Sequence, residues 1–261
     1  MAQQAGNEGG LGETPLPQDS VGMLEGLTST RAIRRYTTDP VPPEALRAML
    51  FAATRAPSGS NRQPFRFVVL TDGPNAREAK RLVADSARRL WAGKREVDGY
   101  DRGSGVQDVS PKARMARTMQ HYVAHFAQVP VLVLPCIVRY RDPTPTEGAS
   151  IYPACQNLLL AARALGFGGA FTGMQYPVEA ELRELLHIPD SVFMAGAITI
   201  GRPAGRHGPV RRRPISELVY GESWGSAPRW AVDPPGTRHT SAGPPRAPTD
   251  RTEGRRAAGH S

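Results

Sequence analysis

Cysteine and long apolar runs are both scarce in this sequence. Cys136 and Cys155 are the only cysteines among 261 residues, which argues against a disulfide scaffold or a cysteine zinc site and predicts two buried thiols. The longest apolar run, Val129 to Val138, is much shorter than the ~20 residues that a membrane-crossing helix needs. The N-terminus also lacks the basic start and apolar stretch of a signal peptide. We therefore expect a soluble, cytoplasmic protein with no membrane partner.

Several motifs of catalysis and nucleotide binding are missing as well. The glycines of GFGGAFTG, residues 166–173, lack the spacing of a dinucleotide fingerprint and follow a helix rather than a strand. The sequence contains no P-loop, no G-x-S-x-G elbow and no H-E-x-x-H motif. His121 and His125 are four residues apart on a predicted helix, but no motif supplies a third ligand, so we assign no metal.

Positive charge is in excess, with 33 basic and 24 acidic residues and a net charge of +9. This excess makes nucleic acid a candidate partner, but no aromatic-rich strand or recognition helix accompanies it, so we expect none. Part of the charge belongs to a tail after Arg229 that is rich in proline, glycine, serine and threonine. Two clusters remain to be explained, TRAIRRY at residues 30–36 and the three arginines at 211–213.

Hydrophobic periodicity predicts helices and strands along residues 19–221, between a disordered segment at 1–18 and a disordered tail at 222–261. The predicted strands lie within residues 64–73, 129–138, 169–172 and 193–201. The predicted helices run from caps at Asp19 and Ser20 to Leu27, from Pro42 and Pro43 to Pro57, from about Asn75 to Trp91, onward from Pro111, from Ile151 to Leu165, and from Val178 to His187. Four strands separated by helices indicate a fold that combines α and β structure. Residues 92–110 have no clear pattern and are predicted to be a mobile lid or loop.

The stretch APSGSNRQPFRFVVL, Ala56 to Leu70, stops a helix at a proline and enters a strand through small and amide-bearing residues. Ser58, Gly59 and Ser60 would expose backbone amides, and the amides of Asn61 and Gln63 offer both donors and acceptors. Such a set suits the edge of a planar heterocycle with alternating carbonyl and N–H groups. The alternative is ordinary turn chemistry, because the same residues are common in turns.

The two arginine clusters also allow two interpretations. If the fold brings residues 30–36 close to residues 211–213, their guanidinium groups would form an anion site for a phosphate. Otherwise they are two solvated surface runs.

Taken together, these segments resemble the nitroreductase-like family of FMN-dependent oxidoreductases. An arginine-rich segment, a P-V-P helix start and an A-P-S-G-x-N-x-Q-P loop follow one another in TRAIRRYTTDPVPPEALRAMLFAATRAPSGSNRQPFRFVVLTD, and ACQNLLLAARALGFGGAFTG, ITIGRP and RRRPISELV are similar to later signatures. The resemblance covers roughly residues 24–221, except for 92–110. It implies an α+β fold with a central mixed β-sheet flanked by helices. It also implies an intertwined homodimer whose sites are built by both chains.

The resemblance assigns the arginines to the cofactor. Arg31 and Arg212 match the family positions that hold the FMN phosphate. Arg34 matches the position whose cation approaches flavin N1 and O2, where negative charge appears on reduction. Many members have Arg-Arg-Ser where this chain has Thr30-Arg31-Ala32, so one phosphate cation and one hydroxyl are missing and the affinity for FMN is expected to be lower.

Two further segments are implied to line the flavin. One is the loop after the second predicted helix and the other lies at the end of the third predicted strand, where a backbone N–H commonly faces flavin N5. The residues concerned are Pro57, Ser58, Gly59, Asn61, Gln63, Phe171, Thr172 and Gly173. No catalytic side chain is assigned, because the flavin performs the chemistry.

The implied activity is hydride transfer from NADH or NADPH to FMN, and then to a nitroaromatic, a quinone or a related acceptor. Three alternatives remain. The same fold could serve reductive dehalogenation or flavin breakdown, it could store flavin or regulate without turnover, or the net charge could mark a nucleic-acid binder. The physiological acceptor and the choice between NADH and NADPH are not readable from the sequence.

Overall fold

The computed structural model describes residues 15–240, which fall into two compact units divided after Pro209. The domain boundary expected at residue 221 stays a prediction. Residues 1–14 and 241–261, on which most of the predicted disorder falls, lie outside the described residues. In the second unit the carboxylate of Asp233 accepts a hydrogen bond from the backbone N–H of Ile215 at 3.0 Å.

The first unit contains the helices and strands of the fold. The helices are α1 (Met23–Ser29), α2 (Pro43–Thr54), α3 (Pro74–Val97), α4 (Pro111–Ala124), α5 (Tyr152–Ala164) and α6 (Glu179–Leu186). The strands are β1 (Phe65–Leu70), β2 (Val131–Val138), β3 (Gly168–Thr172), β4 (Val192–Met194) and β5 (Ala197–Gly201). The predicted α+β class is confirmed.

All strand pairs of the sheet are antiparallel in the part of the chain that the structure describes, whereas a mixed sheet was predicted. The order is β1-β2-β5-β3, and β4 pairs with the same edge of β2 as β5 does. The register slips by one residue between these two pairings, because Ala195 and Gly196 form a bulge. The single strand predicted at 193–201 is therefore two strands. A Cβ on Gly196 would lie 2.3 Å from the ring of Phe171, so this close approach requires glycine.

Helices cover both faces of the sheet, and β2 shows this most clearly. Its side chains alternate between two clusters, Leu132, Leu134 and Cys136 on the face of α3, α4 and α6, and Val131 and Val133 on the face of α2 and α5. This alternation with a period of two explains why the strand is apolar throughout. The predicted burial of both cysteines is confirmed, and burial raises the thiol pKa of Cys136 to about 11 and that of Cys155 to about 12.

Two predicted helix ends are wrong. The helix expected to end at Trp91 continues to Val97, so only Asp98 to Ser110 forms turns and a short 3₁₀ helix. Trp91 is the last buried residue of α3, and the turns beyond it are stabilised by surface ion pairs such as Lys94 with Asp98, four residues apart. Apolar periodicity could not detect them. The caps predicted for α1 are also wrong, because the hydroxyl of Ser20 donates to the carbonyl of Ala164 instead.

Two kinds of feature are absent from the described residues. Within residues 15–240, no helix combines the length and the apolar character that a bilayer span requires. The same residues contain no group of three or more histidine, cysteine, aspartate or glutamate side chains suited to a metal ion. His121 and His125 stack at 4.1 Å between ring centroids.

Candidate functional site

Backbone hydrogen bonds fix the arginine-rich segment at residues 30–36 to β3 and to the chain just after β5. The N–H of Ile33 donates to the carbonyl of Gly169 at 2.9 Å, and the N–H of Ala204 donates to the carbonyl of Arg35 at 3.0 Å. Ile33 is buried, and a Cβ on Gly168 would lie 2.5 Å from its side chain. A glycine in β3 thus lets the segment approach the sheet closely enough to be held there.

Three hydroxyl groups, linked by hydrogen bonds, also hold this segment. The hydroxyl of Tyr36 donates to the carbonyl of Ile33 at 2.5 Å and lies 2.8 Å from Thr199 Oγ1, which lies 2.8 Å from the hydroxyl of Tyr122. Burial raises the pKa of Tyr36 well above its usual value and that of Tyr122 to about 12, while the charge of Arg34 opposes both shifts. Arg34 therefore lies near two neutral phenols, half-buried at the edge of the sheet.

A cavity of about 400 Å³ opens over this segment, and six arginines line it. No aspartate or glutamate belongs to the described residues of its lining. The side chains of four of the arginines make no hydrogen bond or ion pair with any residue in 15–240, and the side chains of the other two hold the turns before α4. The first group is Arg31, Arg34, Arg35 and Arg206. The second is Arg114, which donates to the carbonyl of Val109, and Arg117, which donates to that of Asp108 at 2.7 Å.

The donor set of this cavity fits a phosphate group. Guanidinium groups match phosphate oxygens in pairs, and a dianion would relieve the mutual repulsion of unpaired cations. The sequence predicted Arg31 and Arg34 but missed Arg114, Arg117 and Arg206. The spacing of three between Arg114 and Arg117 on a helix marks a shared face, but nothing in the sequence indicates that this face meets residues 30–36.

The loop after α2 is more constrained than an ordinary turn. Ser60, Asn61 and Gln63 all have positive φ, at 52°, 50° and 51°, a conformation that costs energy in residues other than glycine. The hydroxyl of Ser58 accepts the backbone N–H of Gln63 at 2.9 Å, and Gln63 Nε2 donates to Asn61 Oδ1 at 3.2 Å. Side chains of the loop thus fix its backbone and leave the amides of Asn61 and Gln63 exposed.

One backbone amide of the loop that was expected to be free has a partner. The N–H of Gly59 donates to Ser150 Oγ at 3.2 Å, just before α5. Two residues later, the ring of Tyr152 meets the ring of Phe171 edge-on at 5.8 Å. The loop is therefore connected, through residues 150–152, to the end of β3. There Thr172 Oγ1 accepts the N–H of Met174 at 3.3 Å.

The two ends of β3 carry different parts of the predicted site. Ile33 pairs at Gly169, and Phe171 to Gly173 follow two to four residues later, which places them about 10 Å along the strand. The cavity that Arg31 lines and the pocket that Gly59 lines are separate.

Arg212 lies in the second unit. Its carbonyl accepts the N–H of Thr240 at 3.0 Å, and its Nη1 donates to the carbonyl of Arg211 at 3.0 Å. Its convergence with Arg31 on one phosphate stays a prediction.

Comparison with known proteins supplies relatives that match about three quarters of this chain, 77% in each of two cases. A Methanothermobacter thermautotrophicus protein, provisionally named NADH dehydrogenase/NAD(P)H nitroreductase, is 29% identical over 208 residues, which cover 77% of this chain and 87% of the relative. A crystal structure of a provisionally assigned Desulfovibrio desulfuricans nitroreductase in complex with FMN has 27% identity and a TM-score of 0.55, and the match covers 77% of this chain and 96% of that one.

Another solved structure has a similar fold. A variant of the FMN- and NADPH-dependent nitroreductase NfnB, from the Sphingopyxis strain HMH, has a TM-score of 0.60 at 22% identity, covering 78% of this chain and all (100%) of that one. The family model described as the nitroreductase family matches residues 27–202, which include the arginine-rich segment, the loop after α2 and β3. The chain therefore belongs to the nitroreductase family.

Proposed function

We propose that this protein is an FMN-dependent NAD(P)H oxidoreductase that reduces a nitroaromatic, a quinone or a related acceptor. The observation that carries the proposal is the cavity at residues 30–36, which is lined by four arginines whose side chains have no hydrogen-bond or ion-pair partner within residues 15–240. Family membership and the FMN complex of the Desulfovibrio relative support the general activity. When bound, FMN supplies hydride transfer from NAD(P)H to the acceptor. For a nitro compound, one hydride and one proton yield the nitroso compound and water.

In this proposal the arginines at the rim of the cavity hold the phosphate. Arg31 binds it directly, with Arg212 as the second ligand, and Arg35 and Arg206 add positive charge. A hydrogen bond between charged groups is worth about 1.5–3 kcal/mol, so three of them contribute about 4.5–9 kcal/mol, and a micromolar Kd corresponds to about 8.2 kcal/mol.

Arg34 has a separate role, because it is the half-buried arginine of the segment. Tyr36 and Thr199 anchor the backbone on both sides of it. Held there, Arg34 keeps a positive charge where the reduced ring would carry negative charge. A fixed charge in a partly dry site stabilises an anion more than water would, because it needs no reorganisation.

The remaining predicted residues orient the ring and exclude water from one side of it. Asn61 and Gln63 offer exposed amides on a loop with a fixed backbone, and Phe171 to Gly173 offer the other edge. We propose that a second copy of the chain completes each site. Exposed apolar side chains on α1, with Met23 81% and Leu24 78% exposed, support a covered surface in the assembly.

One observation favours a second candidate, a flavin-binding protein that does not turn over. Thr30 replaces a family arginine, and its hydroxyl donates to the carbonyl of Gly26 at 2.6 Å, so it caps the end of α1 and offers the phosphate nothing. A weakly held cofactor would limit turnover.

A visible spectrum of the purified protein, before and after NADPH, tests the proposal. We expect flavin absorption that bleaches on addition of NADPH and recovers with an acceptor. A protein that stays colourless after reconstitution with FMN would refute the proposal. Bound FMN that NADPH reduces only over hours would favour the second candidate.

A further inference from the structure

A second pocket, of about 220 Å³, adjoins the loop after α2. Gly59 and Ser150, which the hydrogen bond from the loop joins, both belong to its lining. Its walls come from the end of β2 and from the segment 139–150 that leads to α5. Since the loop is proposed to line the flavin, this pocket adjoins the flavin site whichever subunit supplies the ring.

Part of the pocket lining is apolar, and another part is an ion pair whose charges cancel. Pro64, Ile137 and Val138 supply apolar surface. Arg139 and Glu147 form a paired contact with N···O distances of 2.6 Å and 3.0 Å, and the hydrogen bond from Arg139 lowers the pKa of Glu147. This pair closes the pocket without leaving charge to bind a ligand.

One cation of the lining remains available. Arg141 makes no hydrogen bond or ion pair with any residue in 15–240, and its guanidinium lies 5.3 Å from the centre of the Tyr140 ring. Tyr140 is exposed, and Arg62 lies 4.9 Å from the same ring. The single carboxylate nearby without a described partner is Asp142. Because both guanidinium groups lie over the Tyr140 ring, the pocket offers the edge of that ring, the guanidinium fork of Arg141 and an opposing negative charge.

We propose that this pocket binds the electron acceptor and that the acceptor is a single-ring aromatic carboxylate with a reducible group. The ring lies on the apolar floor beside Tyr140, and the carboxylate pairs with the fork of Arg141. The volume is below the range of about 300–1,000 Å³ of pockets for larger ligands, which limits the occupant to one substituted ring. The inference rests on the proposed function for its chemistry but not for the binding itself.

Calorimetric titration of the purified holoprotein with benzoate tests the binding directly, since benzoate is not reduced. Arg141→Ala is expected to weaken benzoate binding at least about tenfold, the lower end for a charged hydrogen bond. Asp142→Asn is expected to tighten it, because a repulsive charge is removed. Benzamide has the same shape without the charge, and neither variant should change its affinity. Arg89→Ala, an exposed arginine of α3 outside the pocket, is the matched control.

Turnover supplies the second measurement. With 4-nitrobenzoate as acceptor, Arg141→Ala should raise KM about tenfold, while the rate with nitrobenzene stays unchanged. Equal losses for benzoate and benzamide, or unchanged benzoate affinity in Arg141→Ala, would overturn the proposal. Because benzoate binding needs no reduction of flavin, these outcomes are distinct from a failure of the flavin to bleach with NADPH, which would refute the proposed function alone.

Discussion

Arginines line both the cavity over residues 30–36 and the pocket beside Gly59, but only in the pocket are they balanced by acids. Six arginines line the first, and no acid of the described chain does. In the second, two arginines share the lining with two acids over an apolar floor. Unbalanced charge attracts any small dianion strongly, whereas balanced charge beside apolar surface selects a ligand by shape and by one contact. In the two proposals, the arginine cavity holds the cofactor phosphate and the pocket beside Gly59 selects the acceptor.

The largest expected effect is on cofactor retention. Arg31→Ala should weaken FMN binding by roughly 10- to 150-fold, the value of one charged hydrogen bond, and the double variant with Arg206→Ala should weaken it further. Equilibrium dialysis with fluorescence of the free flavin measures this. Arg141→Ala, in the other pocket, should leave FMN retention unchanged. If it releases FMN as readily as Arg31→Ala, the two regions are not separate in function.

The next effect distinguishes two neighbours within the arginine cavity. Arg34→Ala should lower the flavin midpoint potential by about 30–60 mV, equivalent to about 1.4–2.8 kcal/mol for two electrons, because a charge that stabilises the reduced ring is lost. FMN retention should fall less than in Arg31→Ala. Spectroscopic redox titration gives the potential, and identical behaviour of the two variants would contradict their separate roles.

A third effect concerns the stability of the arginine-rich segment, which the Tyr36 hydroxyl holds in place. Tyr36→Phe removes the hydroxyl that satisfies the Ile33 carbonyl, so the free energy of unfolding should fall by about 1–3 kcal/mol. Urea unfolding measures it. Tyr220→Phe, at an exposed tyrosine of the second unit, is the control and should change stability little. A loss of the same size in both variants would mean that the hydroxyl chain does not hold the segment.

The smallest expected effect concerns the wall of the pocket. The pKa of Glu147 is lowered from 4.5 in the folded protein, so its pairing with Arg139 stabilises the fold above pH 4.5 and is lost as the pH falls through the folded value. Glu147→Gln should therefore cost up to about 1 kcal/mol at pH 7, and the cost should disappear at low pH. Urea unfolding at several pH values follows it. If Glu147→Gln still lowers the free energy of unfolding at low pH, the loss comes from packing and not from the ion pair with Arg139.

Local patterns predicted most of the fold. The apolar face of α2, the buried run of β2 and the glycine that ends α5 each depend on residues close in the chain, and the structure agrees within a few residues. The end of α3 was missed because its last turns bury nothing. The bulge at Ala195 and Gly196 was missed because it depends on the contact with Phe171, which lies far away in the sequence.

The predicted site also has a part that depends on residues close in the chain and a part that depends on distant contacts. The order of motifs indicated the loop at residues 57–63 and the first arginine cluster, and both stand as coherent local structures. Arg114, Arg117 and Arg206 could not be found, since only the packing of α4 and of the chain after β5 brings them to the cavity. The sequence of residues 139–150 likewise gives no sign that this segment lines the pocket beside Gly59.

By itself, the sequence determined the family, the class of fold and the chemistry of each short segment, because backbone preference and side-chain type act within a few residues. Only the tertiary structure decided which charges are left without partners, which amides are already occupied and which cavities exist. These properties depend on distances between residues far apart in the chain, and such distances follow from how helices pack on the sheet.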